Sequence, residues 1–257
     1  MKIFYLIGKN IENSLSPKIH NYVFKKLNLD ANYKLMEISD SRHFSDLFQK
    51  FKNQKISGMN VTNPYKVNIY PYMDKVVSSC NQIKAVNCID FKNGKFIGHN
   101  TDWFGFFKMV KTNNINLIDK KIKIIGLGGA YNAIIYALSL IGCAKIDLYN
   151  RQNVDQILED NSRKDCVIIN CSPNHFINDE EKFTDYFLSR NILWIDLLYT
   201  KLSTQNKNLI NREHEKLYIN GLDMLIYQAL ASINIWFSKD IFKNVDLYDL
   251  KSTLKKD

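Results

Sequence analysis

The chain of 257 residues is long enough for one large or two modest domains with a substantial core. Hydrophobic residues make up 46% of it and charged residues 24%, the proportions of an ordinary globular protein. The formal net charge of +9 is compatible with an acidic partner such as nucleic acid, but the lysines are scattered rather than grouped. Composition therefore argues against a nucleic-acid-binding protein, and we expect no such partner.

Cysteine usage and the N-terminus indicate where the chain resides. Its five cysteines form no C-x-x-C pair, and their odd number favours free thiols in a reducing compartment. The apolar run 3–7 is too short for a signal peptide. Residues 124–144 carry no charge and could span a bilayer, but glycines near the start of this run favour a buried strand, loop and helix. We therefore expect a cytoplasmic location and no membrane partner.

Strands and helices alternate along the first part of the chain. The spacing of Ile19, Val23 and Leu27 predicts a helix with one buried face, with Ser16 as its N-cap and Pro17 as its first residue. The predicted elements before residue 64 are strand 2–8, this helix, strand 33–38, helix 44–51 and strand 56–61. Such alternation is typical of a parallel sheet.

The strand that ends at Val61 runs into a polar segment that contains Pro64 and Lys66. Because proline has a fixed φ and no N–H, Pro64 predicts the first residue of a helix, with Lys66 in its first turn. A lysine there is an ordinary surface residue unless it lies in a cleft. Further along, predicted strands 85–91 and 95–98 flank Asn93-Gly94, a pair that predicts a hairpin.

The second half of the chain has the pattern of a mononucleotide-binding fold. Strand 122–125 leads into the glycine-rich loop 126–129 and helix 130–141, and strand 145–149 follows. Further strands are predicted at 167–170 and 193–197, a long apolar helix at 222–237 and an amphipathic helix at 247–254. The sequence therefore predicts an α/β fold.

The loop Gly126-Leu127-Gly128-Gly129 is the first chemical candidate. Glycine lets the backbone turn tightly and approach a pyrophosphate, which then meets the N–H groups of the following helix. Tyr131 occupies the third glycine position of G-x-G-x-x-G, so a purely structural turn is an open alternative. After the second strand, Asn150-Arg151 stands where NAD enzymes place an acid, and arginine suits a ribose 2′-phosphate. This pair favours NADP over NAD.

Other polar residues have two interpretations each. Asp102 precedes the helical stretch 103–110 and could simply cap that helix. The hydroxyls of Ser14 and Ser16 could bind a ligand, but Ser16 is at least as good an N-cap. The histidines show no metal-ligand spacing, so we expect no metal site. These histidines are His20, His43, His99, His175 and His214.

Together these signals resemble the shikimate dehydrogenase family over nearly the whole chain. Residues 14–21 resemble its S-x-S-P-x-x-H-N segment, residues 58–66 its G-x-N-V-T-x-P-x-K motif, and residues 85–87 and 100–105 its A-V-N and N-T-D-x-x-G segments. Residues 196–199 and 221–228 are similar to D-x-x-Y and G-x-x-M-L-x-x-Q. The resemblance implies that Lys66 and Asp102 are catalytic. It implies a substrate site made of Ser14, Ser16, Asn60, Thr62, Asn87, Tyr199 and Gln228.

The resemblance also implies two domains and an NADP cofactor. Residues 1–101, completed by 223–257, would form the substrate domain, and residues 102–222 a Rossmann-like dinucleotide-binding domain. The implied cofactor-binding residues are Gly126, Gly128, Gly129, Ala130, Asn150, Arg151, Gly221 and Met224. The chain departs from the family after G-x-G-G, where a small residue and then arginine or lysine usually follow and this chain has Ala130-Tyr131-Asn132, and at Gln152, where the family has threonine.

The implied activity is the NADPH-dependent, reversible reduction of 3-dehydroshikimate to shikimate, an oxidoreductase step in chorismate and aromatic amino acid biosynthesis. Lys66 would protonate the developing alkoxide, and Asp102 would orient it. In the oxidative direction the lysine must act as a base, so oxidation should improve at higher pH. The alternatives are a quinate/shikimate dehydrogenase that uses NAD, a catalytically silent homologue that senses shikimate-like ligands, and a basic nucleic-acid binder. We expect a monomer or a homodimer.

Overall fold

The computed structural model describes residues 1–53, 56–161, 165–172, 180–199 and 215–255. His175 and His214, which entered the metal-site prediction, lie outside these ranges. The chain divides into two units, one comprising Met1–Gly105 with Ile226–Asp257 and the other Phe106–Leu225. Among the described residues, no helix has the length and apolar character that crossing a membrane requires.

A six-stranded mixed sheet forms the centre of the first unit. Its strands are β1 (Lys2–Gly8), β2 (Ala31–Glu37), β3 (Gly58–Val61), β4 (Lys75–Val76), β5 (Cys88–Lys92) and β6 (Lys95–His99), in the order β2-β1-β3-β5-β6-β4. Strand β1 pairs in parallel with β2 and β3, whereas β5 pairs antiparallel with β3 and β6. The alternating pattern predicted a parallel sheet, and β5 is the exception. It runs antiparallel to both of its neighbours, β3 and β6, whereas β4 pairs in parallel with β6.

The predicted hairpin is confirmed at Asn93-Gly94. Both residues have positive φ, 52° and 74°, as a two-residue hairpin turn of this kind requires. Glycine adopts this conformation without a steric cost, and asparagine tolerates it better than most residues do. The turn brings β6 back beside β5, whose other neighbour is β3.

Helices of the first unit pack around this sheet. They are α1 (Ser16–Lys26), α2 (Phe44–Asn53), α3 (Ser78–Ile83) and α8 (Leu247–Lys255), together with the parts of α4 (Asp102–Thr112) and α7 (Leu222–Phe237) that belong to this unit. Ser16 was predicted to cap α1, but it is the first helical residue. Leu15 is the N-cap, because its carbonyl accepts the N–H of Ile19, and the Ser14 hydroxyl accepts the N–H of Ser16 at 3.2 Å.

The helix predicted to start at Pro64 does not form. After a cis Asn63–Pro64 peptide, the chain makes consecutive turns and then a 3₁₀ helix at Tyr70–Tyr72. The N–H of Tyr65 bonds to the Thr62 carbonyl and that of Ile69 to the Tyr65 carbonyl, which is too few bonds for an α-helix. The Tyr65 hydroxyl donates to the carbonyl of residue 38 at 2.6 Å and anchors the segment that carries Lys66.

Helix α7 packs on the central strands of the first unit through Trp236. Its ring stacks on Phe4 of β1 with centroids 4.3 Å apart, and its Nε1–H donates to the Ile89 carbonyl of β5 at 3.0 Å. A Cβ atom on Gly58 of β3 would lie 2.6 Å from Trp236 Nε1, so only glycine allows this close approach. The contact fixes α7 over β1, β3 and β5 and so positions the polar residue Gln228 nearby on the same helix.

The second unit contains a five-stranded parallel sheet. Its strands are β7 (Lys121–Ile125), β8 (Lys145–Tyr149), β9 (Cys166–Asn170), β10 (Leu193–Asp196) and β11 (Tyr218–Asn220), in the order β11-β10-β9-β7-β8. Helix α5 (Tyr131–Ile141) follows β7, and α6 (Glu180–Ser189) precedes β10. The uncharged run from Ile124 to Ala144 is therefore the predicted strand, loop and helix. The α/β fold predicted from the sequence is confirmed.

Candidate functional site

Lys66 and Asp102 form an ion pair in the first unit. The Lys66 ammonium donates to Asp102 Oδ2 at 2.6 Å, and the side chains are only 12% and 6% exposed. The Lys66 carbonyl accepts the N–H of Val86 at 2.8 Å, which holds the turn containing the lysine against the segment before β5. Lys66 is therefore not the ordinary surface lysine that was the alternative interpretation.

The second carboxylate oxygen of Asp102 bonds to Asn87. Asn87 Nδ2 donates to Asp102 Oδ1 at 2.9 Å and to Thr101 Oγ1 at 2.9 Å, while Asn87 Oδ1 accepts the N–H of Thr101 at 2.6 Å. The Asp102 N–H itself donates to Asn100 Oδ1 at 3.1 Å. Asp102 is the first residue of α4, and not the residue before it. Its carboxylate bonds to Lys66 and Asn87, so these contacts, rather than capping of the helix, describe its role.

Gln228 and Asn60 extend this polar cluster from two other elements. Gln228 Oε1, on α7, lies 3.4 Å from both Asn87 Nδ2 and Thr101 Oγ1. Asn60, on β3, is 4% exposed, and its Nδ2 donates to the Asn87 carbonyl at 3.0 Å and to Ser232 Oγ at 2.9 Å. The structure thus brings together the predicted residues Lys66, Asp102, Asn87, Gln228 and Asn60 in one buried network.

Tyr33 and His20 support Asn60 from the other side. Burial raises the pKa of Tyr33 well above its usual value, so its hydroxyl is protonated and donates to Asn60 Oδ1 at 2.9 Å. The His20 ring stacks on Tyr33 with centroids 3.9 Å apart, and its Nδ1 donates to the Ser16 carbonyl at 2.8 Å. Burial lowers the pKa of His20 to about 4 although the Ser16 carbonyl opposes this, so the ring is neutral at pH 7.

The remaining predicted substrate residues of the first unit lie where parallel strands end. Thr62 follows β3, and its N–H donates to the Ile7 carbonyl of β1 at 2.8 Å. Ser14 and Ser16 lie in the connection that leaves β1 and at the start of α1. Because β1 and β3 are parallel, Thr62 and this connection share one edge of the sheet. Within the described ranges, no hydrogen bond joins these three residues to Lys66 or Asp102, and their roles stay predictions.

The glycine loop of the second unit lies at the carboxyl edge of its sheet. Gly126 has a φ of +89°, and a Cβ atom there would lie 2.8 Å from the Ser172 backbone nitrogen. Gly126 is thus needed where the ends of β7 and β9 meet, which is the point where the strand order reverses and where ligands bind in such sheets. A Cβ atom on Gly128 would meet no protein atom within 4 Å, so the space beside it is open.

Asn150 and Arg151 lie beside the glycine loop. The N–H of Gly126 donates to the Tyr149 carbonyl at 2.8 Å, so the ends of β7 and β8 are adjacent. The Asn150 Oδ1 atom accepts the N–H of Gln152 at 2.8 Å, and the Asn150 N–H donates to Asn153 Oδ1 at 2.6 Å. These bonds fix a tight turn on which Arg151 is exposed. An open glycine loop next to an exposed arginine fits a phosphate-bearing dinucleotide.

The ends of β10 and β11 carry the other predicted residues of this unit. Asp196 Oδ1 accepts the N–H of Leu198 at 3.1 Å, which organises the segment leading to the half-buried Tyr199. A Cβ atom on Gly221 would lie 2.1 Å from the Leu197 carbonyl oxygen, so this position requires glycine. Met224 is buried in the first turn of α7. All of these segments follow strands of one parallel sheet.

Sequence reasoning missed three residues of the first-unit cluster. Thr101, Tyr33 and Ser232 each bond directly to Asn60 or Asn87. Ser232 is four residues after Gln228 in an apolar helix, and this spacing places both side chains on one face. That spacing is the one sequence signal that could have identified it. In the described ranges, no group of three His, Cys, Asp or Glu side chains could hold a metal ion.

Fold and site define an α/β protein that combines a nucleotide-binding type of sheet with a buried lysine–aspartate pair. The family model of the shikimate dehydrogenase substrate binding domain matches residues 6–89. A shikimate dehydrogenase (NADP(+)) from Caldicellulosiruptor bescii is 30% identical over an alignment of 259 positions that covers 92% of this chain and 90% of that protein. The chain therefore belongs to the shikimate dehydrogenase family.

Solved structures of shikimate dehydrogenases have the same fold. The enzyme from Aquifex aeolicus is 30% identical, with a TM-score of 0.83 over 100% of this chain and 98% of that one. Another shikimate dehydrogenase, solved in complex with NADP+, is 28% identical, with a TM-score of 0.78 over 99% of this chain and 94% of that one. The similarity extends over both units and not only over the segment matched by the family model.

Proposed function

We propose that the protein catalyses the NADPH-dependent, reversible reduction of 3-dehydroshikimate to shikimate, a step of chorismate and aromatic amino acid biosynthesis. The observation that carries this proposal is the contact of 2.6 Å between the Lys66 ammonium and the Asp102 carboxylate within a buried polar cluster. Such a pair supplies a positioned proton donor, as carbonyl reduction requires. The names of its relatives, shikimate dehydrogenase (NADP(+)), support the substrate and the cofactor.

Lys66 is the general acid of the reduction. Its ammonium stabilises the negative charge that develops on the carbonyl oxygen and then transfers a proton to the alkoxide. Asp102 holds the ammonium by one carboxylate oxygen, while Asn87 holds the other oxygen at 2.9 Å. In the oxidative direction the Lys66 amine accepts the proton of the substrate hydroxyl.

The polar residues around this pair bind the substrate hydroxyls. Asn87 and Gln228 lie next to Asp102 in the same cluster and present amide groups that can donate and accept hydrogen bonds. Ser14, Ser16 and Thr62 share one sheet edge and bind the carboxylate, as the family resemblance implies. Tyr199 belongs to the second unit, and its assignment to the substrate rests on the family resemblance alone.

The second unit holds NADP. When bound, this cofactor supplies the hydride for the substrate carbonyl carbon. The loop Gly126 to Ala130 and the start of α5 accommodate its pyrophosphate, because backbone N–H groups at a helix start favour anions. Arg151 pairs with the ribose 2′-phosphate, and Asn150 shapes the turn that presents it. Gly221 and Met224 border the cofactor at the start of α7.

The two units correspond to a substrate domain and a cofactor domain. The family model named for the substrate binding domain matches only residues of the first unit, which supports this assignment. All five cysteines are free, which is compatible with the cytoplasm. The protein works there as a monomer or a homodimer.

Initial rates with two substrates and two cofactors test the proposal. Purified protein is mixed with shikimate or quinate and with NADP or NAD, and the absorbance of the reduced nicotinamide is followed. We expect the highest kcat/KM for shikimate with NADP. A preference for quinate or NAD would support the broader quinate/shikimate dehydrogenase, and no reduction in any combination would support a silent sensor instead.

A further inference from the structure

Ser232 is fully buried on α7 and joins three segments of the first unit. Its Oγ accepts an amide hydrogen of Asn60 at 2.9 Å, donates to the Gln228 carbonyl at 3.0 Å and lies 3.3 Å from Thr101 Oγ1. These partners belong to β3, to α7 and to the residue before α4. Gln228 on α7 and Asp102, next to Thr101, have roles in the proposed function, and Asn60 on β3 is a predicted substrate residue.

The donors and acceptors around Asn60 allow one orientation of its amide. The Asn87 carbonyl can only accept, so Asn60 Nδ2 faces it and Ser232 Oγ, and Asn60 Oδ1 accepts the proton of the Tyr33 hydroxyl. Ser232 is therefore the acceptor that completes the set. Without it a buried amide hydrogen loses its partner, because Asn60 is only 4% exposed.

The same hydroxyl orients Asn87 through Thr101. With the Ser232 proton on the Gln228 carbonyl, Ser232 Oγ at 3.3 Å is one of three acceptors around the Thr101 hydroxyl, beside Asn87 Oδ1 at 3.2 Å and Gln228 Oε1 at 3.4 Å. Thr101 Oγ1 in turn accepts from Asn87 Nδ2 at 2.9 Å. Asn87 Nδ2 is also the donor to Asp102 Oδ1. A chain of hydrogen bonds thus runs from Ser232 through Thr101 and Asn87 to Asp102.

We propose that Ser232 is a positioning residue, which sets the amides of Asn60 and Asn87 in the orientation that binds shikimate. The inference rests on the proposed function. In the part of the chain that the structure describes, the Ser232 hydroxyl makes no hydrogen bond to Lys66 or Asp102, so it acts through its neighbours. Its loss should weaken substrate binding and leave the binding of NADP unchanged.

Three substitutions separate the hydroxyl from the volume of the side chain. Ser232→Ala removes both, Ser232→Cys keeps the shape with a weak hydrogen-bonding group, and Ser232→Thr keeps the hydroxyl. We expect the alanine and cysteine variants to raise the KM for shikimate about 10-fold, since each loses one buried hydrogen-bond partner. The KM for NADP should not change, and the threonine variant should stay within about threefold of wild type. Ser139→Ala, on the exposed face of α5, is the matched control.

A double-mutant cycle with Thr101→Val tests the path itself. If Ser232 acts through Thr101, Thr101→Val alone should also raise the KM for shikimate, and the double variant should be no worse than the more impaired single variant. Additive effects would overturn the inference, as would a cysteine variant equal to wild type or an alanine variant with an unchanged KM. The double-mutant cycle tests the proposal even if Ser232→Thr does not fold. Wild-type protein in the same assay reports on the proposed function separately, because its failure to oxidise shikimate would refute that function first.

Discussion

Replacing Asp102 by asparagine should lower kcat, although the asparagine side chain fills the same space. The two carboxylate oxygens both face donors, Lys66 Nζ at 2.6 Å and Asn87 Nδ2 at 2.9 Å. An amide has one oxygen and one NH₂ group, so in either orientation one donor would face another donor. The variant therefore loses the negative charge beside Lys66. It also loses one of the two hydrogen bonds, from Lys66 or from Asn87, that hold the side chain at position 102.

The size of the effect follows from burial. The side chains of Lys66 and Asp102 are 12% and 6% exposed, so water replaces the lost interaction only in part. A hydrogen bond to a charged group is worth about 1.5–3 kcal/mol. Since each 1.36 kcal/mol is a factor of ten in rate, kcat should fall about 10- to 150-fold if this energy orients the acid in the transition state. The assay is the initial rate of NADPH oxidation with saturating 3-dehydroshikimate.

The pair Asp90 and Lys92 provides a matched control. The Asp90 side chain is 5% exposed and its carboxylate lies 2.9 Å from Lys92 Nζ, but it lies on the β5–β6 hairpin and not in the polar cluster. Asp90→Asn and Asp102→Asn should both lower the free energy of unfolding, and only the second should lower kcat. A folded Asp102→Asn variant with kcat within threefold of wild type would refute the assigned role.

Three further predictions concern cofactor choice, pH and packing. Arg151→Ala should raise the KM for NADP about 10- to 100-fold, the value of a lost charge-assisted bond, and leave the KM for NAD unchanged in steady-state assays. Because burial lowers the His20 pKa from 6.5 to about 4, the unfolded state binds more protons in this range, and urea titrations should show about 3 kcal/mol lost between pH 6.5 and 4. Gly221→Ala should lower the free energy of unfolding by about 1–3 kcal/mol, because its Cβ would meet the Leu197 carbonyl at 2.1 Å, whereas Gly128→Ala should only weaken NADP binding in calorimetry.

Each of these predictions has a contrary outcome. If Arg151→Ala raised the KM for NAD as much as that for NADP, Arg151 would not recognise the 2′-phosphate. A His20→Gln variant whose acid destabilisation matches that of wild type would show that other groups cause it. Wild-type stability of Gly221→Ala would contradict the close packing against the Leu197 carbonyl, and unchanged NADP binding by Gly128→Ala would contradict the placement of the cofactor beside the glycine loop.

The sequence predicted the elements whose signals are local. The hairpin at Asn93-Gly94 depends on the conformation of two residues, and the strand, loop and helix from 121 to 141 on a glycine cluster within an apolar run. The segment after Pro64 has a local signal that misleads, because a proline that suits a helix start also suits a turn. The observed turns are held by bonds between residues distant in the sequence, from the Tyr65 hydroxyl to the carbonyl of residue 38 and from the Val86 N–H to the Lys66 carbonyl.

Buried polar groups were the hardest to predict. Lys123 lies in β7 and is fully buried, because Asp160 and the Tyr186 hydroxyl meet its ammonium at 3.1 and 2.9 Å. Ser232 is one hydroxyl in an apolar helix, and its importance depends on Asn60, which is 172 positions away. Motif matches predicted the residues of the candidate site, whereas the residues that hold them emerge only from tertiary contacts.

The most direct test of the account is the reduction of 3-dehydroshikimate by wild type and Lys66→Ala, measured side by side as NADPH oxidation. Loss of a positioned acid costs about 10²–10⁴ in rate, so kcat of the variant should fall by that factor while the KM for the substrate changes less. Lys92→Ala, which removes the lysine of the hairpin pair, should keep wild-type kcat. Turnover of Lys66→Ala near that of wild type would contradict the central claim that Lys66 supplies the proton.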